Sequence, residues 1–449
     1  MSNISTANAI RSWGVCLAGF CTQLITVFSL NALSMTMASM ALAFGVQATD
    51  FAIAASVYGV LVSGMGLVWG YVVDHIGIRL TMIIGSVGAA VMLFLCGMFG
   101  SSVTSIVVLY SGAALFVSAM GMATTPKLIR TWFNSKWVGK ALALVSAGGT
   151  IAGIVVGLIL PSAIESGGWS MGFYIIAGLI VVCSVIMIIF VKDDPYKLGM
   201  VPFGDDSNSA PKPVAKKEKK ELSSEEKAAK RAENLEVLKG VLKNPMLWAV
   251  GLVWLLYQGI AYTNTTYMVV TIKEAGWALV LAGVASSTMR TAQTFGNIGW
   301  GTVSDFLSRK VTVLILGILA GIVWIAMFFV LSNPEASPFG DNSIFVMMVA
   351  LGLTFCFIPV LNSMNADVFP KETLGTCSGV TTALQLVGRF GFPLIAAQII
   401  SATGTYNSYF FFCGIGIMVV GVLGFVVIPS RKKLAQKQTA EAASENSVA

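Results

Sequence analysis

Twelve long apolar runs constrain this chain more than anything else in it. They are Trp13–Met35, Phe51–Val73, Leu80–Met98, Thr104–Pro126, Gly139–Ala163 and Trp169–Val191. After a long polar gap come Met246–Val270, Val280–Val303, Val311–Leu331, Ile344–Asn365, Gly375–Ser401 and Tyr409–Ile428. Each holds roughly 19 to 27 residues, enough to cross a ~30 Å hydrocarbon layer as a helix. In lipid every backbone N–H and C=O must be paired inside the chain, so runs of this length are helices and not strands. Only 11% of the residues are charged and 56% are hydrophobic, too little polar surface for a soluble chain of 449 residues. The fold class is an all-α membrane protein with six transmembrane helices on each side of the gap.

Charge then sets the expected orientation. Of 28 Lys and Arg, all but Lys273, Arg290 and Arg389 fall on one side of the membrane, while the opposite loops carry Asp50, Glu165, Glu274, Glu335 and Asp341. This positive-inside bias places both termini in the cytoplasm, in a bacterial inner membrane, and accounts for the net charge of +7 without nucleic acid. The first run is too long for a signal-peptide core and reads as an uncleaved helix. The seven cysteines lie in or beside apolar runs without metal-ligand spacing, so they read as structural thiols. The expected domains are an N-terminal half (1–191), a cytoplasmic linker (192–245), a C-terminal half (246–430) and a cytoplasmic tail (431–449). In the linker, Ser223 with Glu226 forms a capping-box pattern before Leu235, Leu238 and Leu242 at helical spacing. This gives either a short amphipathic helix on the membrane surface or a solvated linker.

The halves are related. "WGYVVD" at Trp69–Asp74 recurs as "WGTVSD" at Trp300–Asp305, each closing the second helix of its half and each followed by basic residues. Two related halves joined by a cytoplasmic linker point to a carrier that works by alternating access. The pattern Gly70-x-x-x-Asp74-x-x-Gly77-x-Arg79 resembles the loop motif of the major facilitator superfamily, and Gly301-x-x-x-Asp305-x-x-x-Arg309-Lys310 resembles its weaker second copy. His75 and Phe306 stand where that motif usually has a basic residue, and Ser308 replaces its glycine. The resemblance implies twelve helices in two pseudo-symmetric halves. Gly70 and Gly301 would permit close helix approach, and Asp74 and Asp305 would pair with basic groups or a helix N-terminus at the cytoplasmic interface. Within the superfamily, "RTWFNSKWVGKALALVSAGGTIAGIV", "GGWSMGFYIIAG" and "DDPYKLGMVPFG", with Gly379 and Pro393, resemble the oxalate/formate antiporter and monocarboxylate transporter branch.

Two charges lie deep in apolar runs, Arg290 in the eighth helix and Arg389 in the eleventh. An arginine at a helix centre costs ~2.5–3.5 kcal/mol to insert, so each needs compensation. Ser286, Ser287, Gln293, Thr294 and Asn297 share the polar stripe of Arg290; Ser378, Thr382 and Gln385 share that of Arg389. A guanidinium fork matches a carboxylate with two hydrogen bonds, so the pair reads as an anion site. The alternative is structural, each arginine bonding backbone carbonyls between packed helices. The resembling branch implies cations at the positions of Asn297 and Gln385, so the site here is displaced toward the outside, by roughly 10 and 6 Å at ~1.5 Å per residue. Tyr257, Gln258 and Tyr262 in "WLLYQGIAYTNTTY" and Tyr58 in the second helix are further substrate-binding candidates, with interhelical hydrogen bonding as their other reading.

No Asp or Glu falls inside the twelve runs, and the one histidine, His75, lies in the loop motif. Without a midplane proton relay, anion exchange is favoured over proton symport. No catalytic triad, metal cluster or nucleotide loop is present in the sequence, so neither an enzyme nor a cofactor is expected. The reading is a monomeric carrier of small organic anions, mono- or dicarboxylates, exchanging them for a counter-anion. A proton-coupled carrier of a larger amphipathic acid and a non-transporting ligand sensor of the same fold remain open.

Overall fold

The computed structural model describes residues 2–121, 124–205, 239–333, 342–369 and 373–428. The expected amphipathic helix around Ser223–Leu238, the tail from Arg431 and the side chain of Asp305 lie outside the described residues. The spans are α1 (Ser2–Phe44), α2 (Ala52–Gly64 continued by Gly66–Ile76), α3 (Ile78–Phe99), α4 (Val103–Val117, continued by Thr124–Trp132), α5 (Ser135–Gly167) and α6 (Trp169–Phe190). They continue with α7 (Pro245–Glu274), α8 (Leu279–Leu307), α9 (Arg309–Ser332), α10 (Ser343–Thr354 continued by Ile358–Val368), α11 (Leu374–Thr403) and α12 (Ser408–Val427). By length and hydropathy, ten helices among the described residues are fit to cross a membrane, and eleven when the two parts of α2, bent by 46°, count as one. The remaining span is α8, whose polar stripe around Arg290 lowers its hydropathy. It is long enough, at 29 residues, to cross beside its neighbours.

The chain forms two compact units, Met1–Ser224 with Thr265–Ser287, and Glu225–Asn264 with Thr288–Ala449. The turn joining α7 to α8, with the adjoining end of each helix, thus belongs to the first unit. There Gly157 of α5 meets Gly283 of α8. A Cβ on Gly157 would lie 2.5 Å from the Gly283 carbonyl, and one on Gly283 would lie 2.3 Å from the Gly157 carbonyl. Ser287 seals the crossing by donating to the Ile154 carbonyl at 3.1 Å.

Within the units the same pairings recur. In the first, α3 packs along α6; in the second, α9 packs along α12, with Gly317 against Gly421 and Gly321 against Gly414. Three runs that read as single helices are interrupted. α2 bends after Gly64, α4 passes through a 3-10 turn at Ser118–Met120, and α10 unwinds at Phe355–Phe357 before Pro359 starts its second part. Hydropathy could not reveal these breaks because their residues are as apolar as the helices around them.

The start of the linker is built onto the first unit. Phe203 and Phe133 form a parallel bridge, the Asn134 side chain donates to the Gly204 carbonyl at 2.6 Å, and Trp13, Phe133, Trp137 and Phe203 pack edge to face. The Asp193 carboxylate accepts from the Arg79 backbone N–H at 2.9 Å, capping the start of α3.

Gly77 and Ser308 occupy the same place in the two copies of the loop motif, and both have positive φ, 89° and 123°. Glycine adopts that conformation freely, whereas a serine there is strained. Ser308→Gly is expected to stabilise the protein by ~1 kcal/mol. Gly77→Ser should destabilise it by a similar amount. Thermal unfolding of the purified variants in detergent checks both signs.

Candidate functional site

The polar groups of the second unit gather where α7, α8, α10 and α11 approach one another. α7 and α11 touch through glycine. A Cβ on Gly388 would lie 2.2 Å from the Leu255 carbonyl, so only glycine admits this approach beside Arg389. The approach brings Arg389 within electrostatic reach of Tyr257 and Tyr262 on α7, while Arg290 from α8 reaches the same Tyr257. Tyr257 is 1% exposed. Both arginines keep part of their surface accessible, although protein surrounds them.

The structure therefore brings together Arg290, Arg389, Tyr257 and Tyr262. Gln258 and Gln385 join them as a pair, with the Gln258 amide donating to Gln385 at 3.1 Å between α7 and α11. Trp254, one turn before Gln258, donates to Asn365 at 3.1 Å. Asn264 reaches the Met289 sulfur at 3.8 Å, next to Arg290. Asn297 lies two turns from Arg290 on α8, and its buried Oδ1 has no hydrogen-bond partner among the described residues. Tyr58 belongs to the first unit, stacked on Tyr110 with ring centroids 4.3 Å apart.

Sequence reasoning did not identify the aromatic wall. Tyr257 packs on Phe355 and Phe357 at 5.4 and 5.5 Å, and Trp324 of α9 packs on Phe355 at 5.1 Å. These residues sit in or beside the α10 break, and no periodicity marks them. The arrangement offers two guanidiniums and a phenol to an anion, with an apolar aromatic surface alongside.

The loop motifs take different partners in the two units. Asp74 pairs with Lys127 at 2.6 Å, the kind of contact expected of it. In the second unit Arg309 pairs with Asp367 of α10, a partner the motif did not suggest. Lys310 lies 4.3 Å over the Phe425 ring. The Arg79 guanidinium donates to the Ile188 carbonyl at 3.4 Å. Close approach at Gly301 is not made in this conformation, since a Cβ there would meet Pro359 at an ordinary 3.9 Å. The tight contact falls one turn earlier, where a Cβ on Gly296 would lie 2.5 Å from the Cys356 sulfur. Gly70 adjoins Trp69 on the second part of α2.

Two six-span halves of the chain, with a loop motif repeated at the second span of each, define a multi-pass membrane protein of transporter fold. The chain belongs to the Major Facilitator Superfamily, whose sequence pattern matches residues 19–291 and 270–449. It is similar to the glycerol-3-phosphate transporter of Bacillus subtilis, 23% identical over 61% of this chain and 60% of that protein. It is also similar to the membrane sensor protein UhpC of Salmonella typhimurium, 24% identical over 88% of this chain and 86% of that one. A third relative is the probable galactarate/D-glucarate transporter GudP of Escherichia coli, 20% identical over 74% and 76% of the two chains. Among solved structures it superposes on an inward-facing bacterial homolog of the lysosomal transporter Spinster with a TM-score of 0.71 at 12% identity. That superposition covers 93% of this chain and 96% of the other. A D-xylose–proton symporter superposes with a TM-score of 0.69 at 12% identity over 93% and 98%. At these identities the structural likeness establishes the fold alone.

The two ion pairs differ in exposure. Lys127 and Asp74 side chains are 44% and 63% exposed, Arg309 and Asp367 32% and 14%. Solvent screens the first pair, whereas the second is more desolvated, so Asp74→Asn is expected to cost under ~1 kcal/mol. Asp367→Asn leaves a partly buried guanidinium unpaired and should cost ~2–3 kcal/mol. Denaturation of both variants in the same detergent tests the order.

Proposed function

We propose that this protein is a secondary carrier of organic anions that works by alternating access in a bacterial inner membrane, with both termini cytoplasmic. The observation that carries this reading is the convergence of Arg290 and Arg389 on Tyr257 in one unit. An anion placed there neutralises two charges whose insertion into a membrane is costly, and each guanidinium offers a planar donor fork to a carboxylate or phosphate. Tyr257 and Tyr262 add hydroxyl donors, and the Gln258–Gln385 pair adds amides that can turn from each other to a bound hydroxyl group. The aromatic wall of Phe355, Phe357 and Trp324 suits the carbon skeleton of a small acid. Relatives named for glycerol 3-phosphate and for galactarate or D-glucarate support an anion by analogy, and they widen the candidates from mono- and dicarboxylates to phosphate esters.

Exchange is favoured over proton symport because the apolar runs contain no carboxylate or histidine to relay a proton. The Asp74–Lys127 and Arg309–Asp367 pairs are the contacts that would break and re-form as the site opens to alternate sides. A second reading, a ligand sensor without net flux, is favoured by the relative UhpC, which matches over most of both chains.

Counterflow in proteoliposomes decides between them, using oxalate, galactarate, D-glucarate and glycerol 3-phosphate on both sides, with and without a pH gradient. Flux that needs a trans anion and ignores the gradient is the expected result. Binding without flux selects the sensor, and strict gradient dependence overturns exchange. Arg290→Ala and Arg389→Ala should each lower flux about thirtyfold, the equivalent of ~2 kcal/mol for one charge-assisted pair. Unchanged flux of every anion in both variants sinks the reading.

A further inference from the structure

The repeated hexapeptide begins with a tryptophan, and the anion reading gives that residue no role. Trp69 and Trp300 each stand one residue before the motif glycine, on the second span of their half. Each makes the same kind of contact. The Trp69 indole N–H donates to the Leu115 carbonyl at 2.7 Å, and the Trp300 indole N–H donates to the Leu353 carbonyl at 2.8 Å. Leu115 lies in the last turn of Val103–Val117, just before the 3-10 turn of α4. Leu353 lies in the last turn of Ser343–Thr354, just before the unwound residues of α10.

The last carbonyls of a helix have no partner within it, and in a membrane they cannot turn to water. At both breaks the neighbouring chain supplies donors. In α4, Ser118 also donates to Leu115, while Thr124 and Thr125 donate to the Ala119 and Met120 carbonyls at 2.6 and 2.7 Å. In α10 a second donor comes from α8 itself: the Gln293 amide reaches the Phe355 carbonyl at 2.8 Å. Gln293 is one turn from Arg290, and Phe355 is the ring that packs on Tyr257. From Met289 to Gly296 the helices press together. A Cβ on Gly352 would lie 2.4 Å from the Met289 carbonyl, and the Cys356 thiol fills the space over Gly296.

We propose that Trp69 and Trp300 are positioning residues that hold the breaks in α4 and α10, and that Gln293 joins Trp300 in fixing the α10 break beside Arg290. For the importance of Arg290 this rests on the anion reading; for the hinge itself it rests on the hydrogen bonds alone. The two donors on α8 hold the entry to the break, one at Leu353 in the last turn before it and one at Phe355, its first residue. Arg290 and the aromatic wall are therefore held in register, and the second part of α10, which carries Asp367, pivots from a defined point. A bend held by side chains from a neighbouring helix can move without leaving its carbonyls unpaired in lipid. That is what a hinge inside a membrane requires.

Cys356 reports on the hinge directly, being fully buried at the break. The test measures the rate at which N-ethylmaleimide labels Cys356 in the full-length protein in proteoliposomes, read by mass spectrometry of its peptide. Cys413, fully buried in α12, serves as the internal reference. Trp300→Phe and Gln293→Met should each raise the Cys356 rate about fivefold, the size expected when one hydrogen bond no longer opposes local opening. Cys413 should not change, and Trp69→Phe, which removes the equivalent bond from the other half, should leave Cys356 at the wild-type rate. Equal Cys356 rates in wild type, Trp300→Phe and Gln293→Met overturn the proposal. So does a rise shared equally by Cys413, which marks general loosening. The measurement needs no substrate: a protein that shows the labelling change but no counterflow loses the anion reading and keeps the hinge.

Discussion

Every backbone N–H and C=O that enters hydrocarbon must find its partner inside the protein, and this structure is organised around meeting that demand. Where a span is regular, the helix meets it alone. Where α4 and α10 break, side chains from neighbouring segments meet it: Trp69, Ser118, Thr124 and Thr125 at one break, Trp300 and Gln293 at the other. Polar residues inside the spans therefore serve two purposes. Some satisfy backbone, and others, such as Arg290 and Arg389, carry a charge that backbone alone does not explain.

The two halves share a motif and use it differently. Asp74 reaches an exposed lysine on α4, whereas Arg309 reaches a half-buried aspartate on α10. Gly77 takes its positive φ without strain, while Ser308 takes the equivalent conformation and partly compensates by capping α9 through its hydroxyl. Divergence within the repeat thus changed partners and local strain while preserving the backbone path. Both deep arginines lie in the second unit, and so does the amide pair. The first unit offers instead the stacked Tyr58 and Tyr110.

Much of the candidate site was legible because a charge in a membrane span is rare and costly. Arg290 and Arg389 stood out for that reason, and their polar helical stripes marked the faces turned inward. The polar residues of α7 were legible as candidates but not by role. That Tyr257 lies within electrostatic reach of both arginines, and that Gln258 spends its amide on Gln385, depends on how closely Gly388 lets α11 approach α7. Gln293 looked like one more member of the Arg290 stripe, and only the unwinding of α10 gives its amide a carbonyl to hold. The Arg309–Asp367 pair was not legible, because its two residues lie on different spans and far apart in the sequence.

The sequence by itself determined that the chain is a membrane protein of twelve helical spans in two related halves. Apolar length and the repeated hexapeptide are local properties that survive without any knowledge of packing. It also marked two arginines as exceptional. Tertiary structure decided where the spans break, which donors hold the breaks, and which polar residues meet the arginines. Those outcomes turn on close approaches of one helix to another, set by glycines whose neighbours lie on distant parts of the chain. No window of the sequence contains both sides of such a contact.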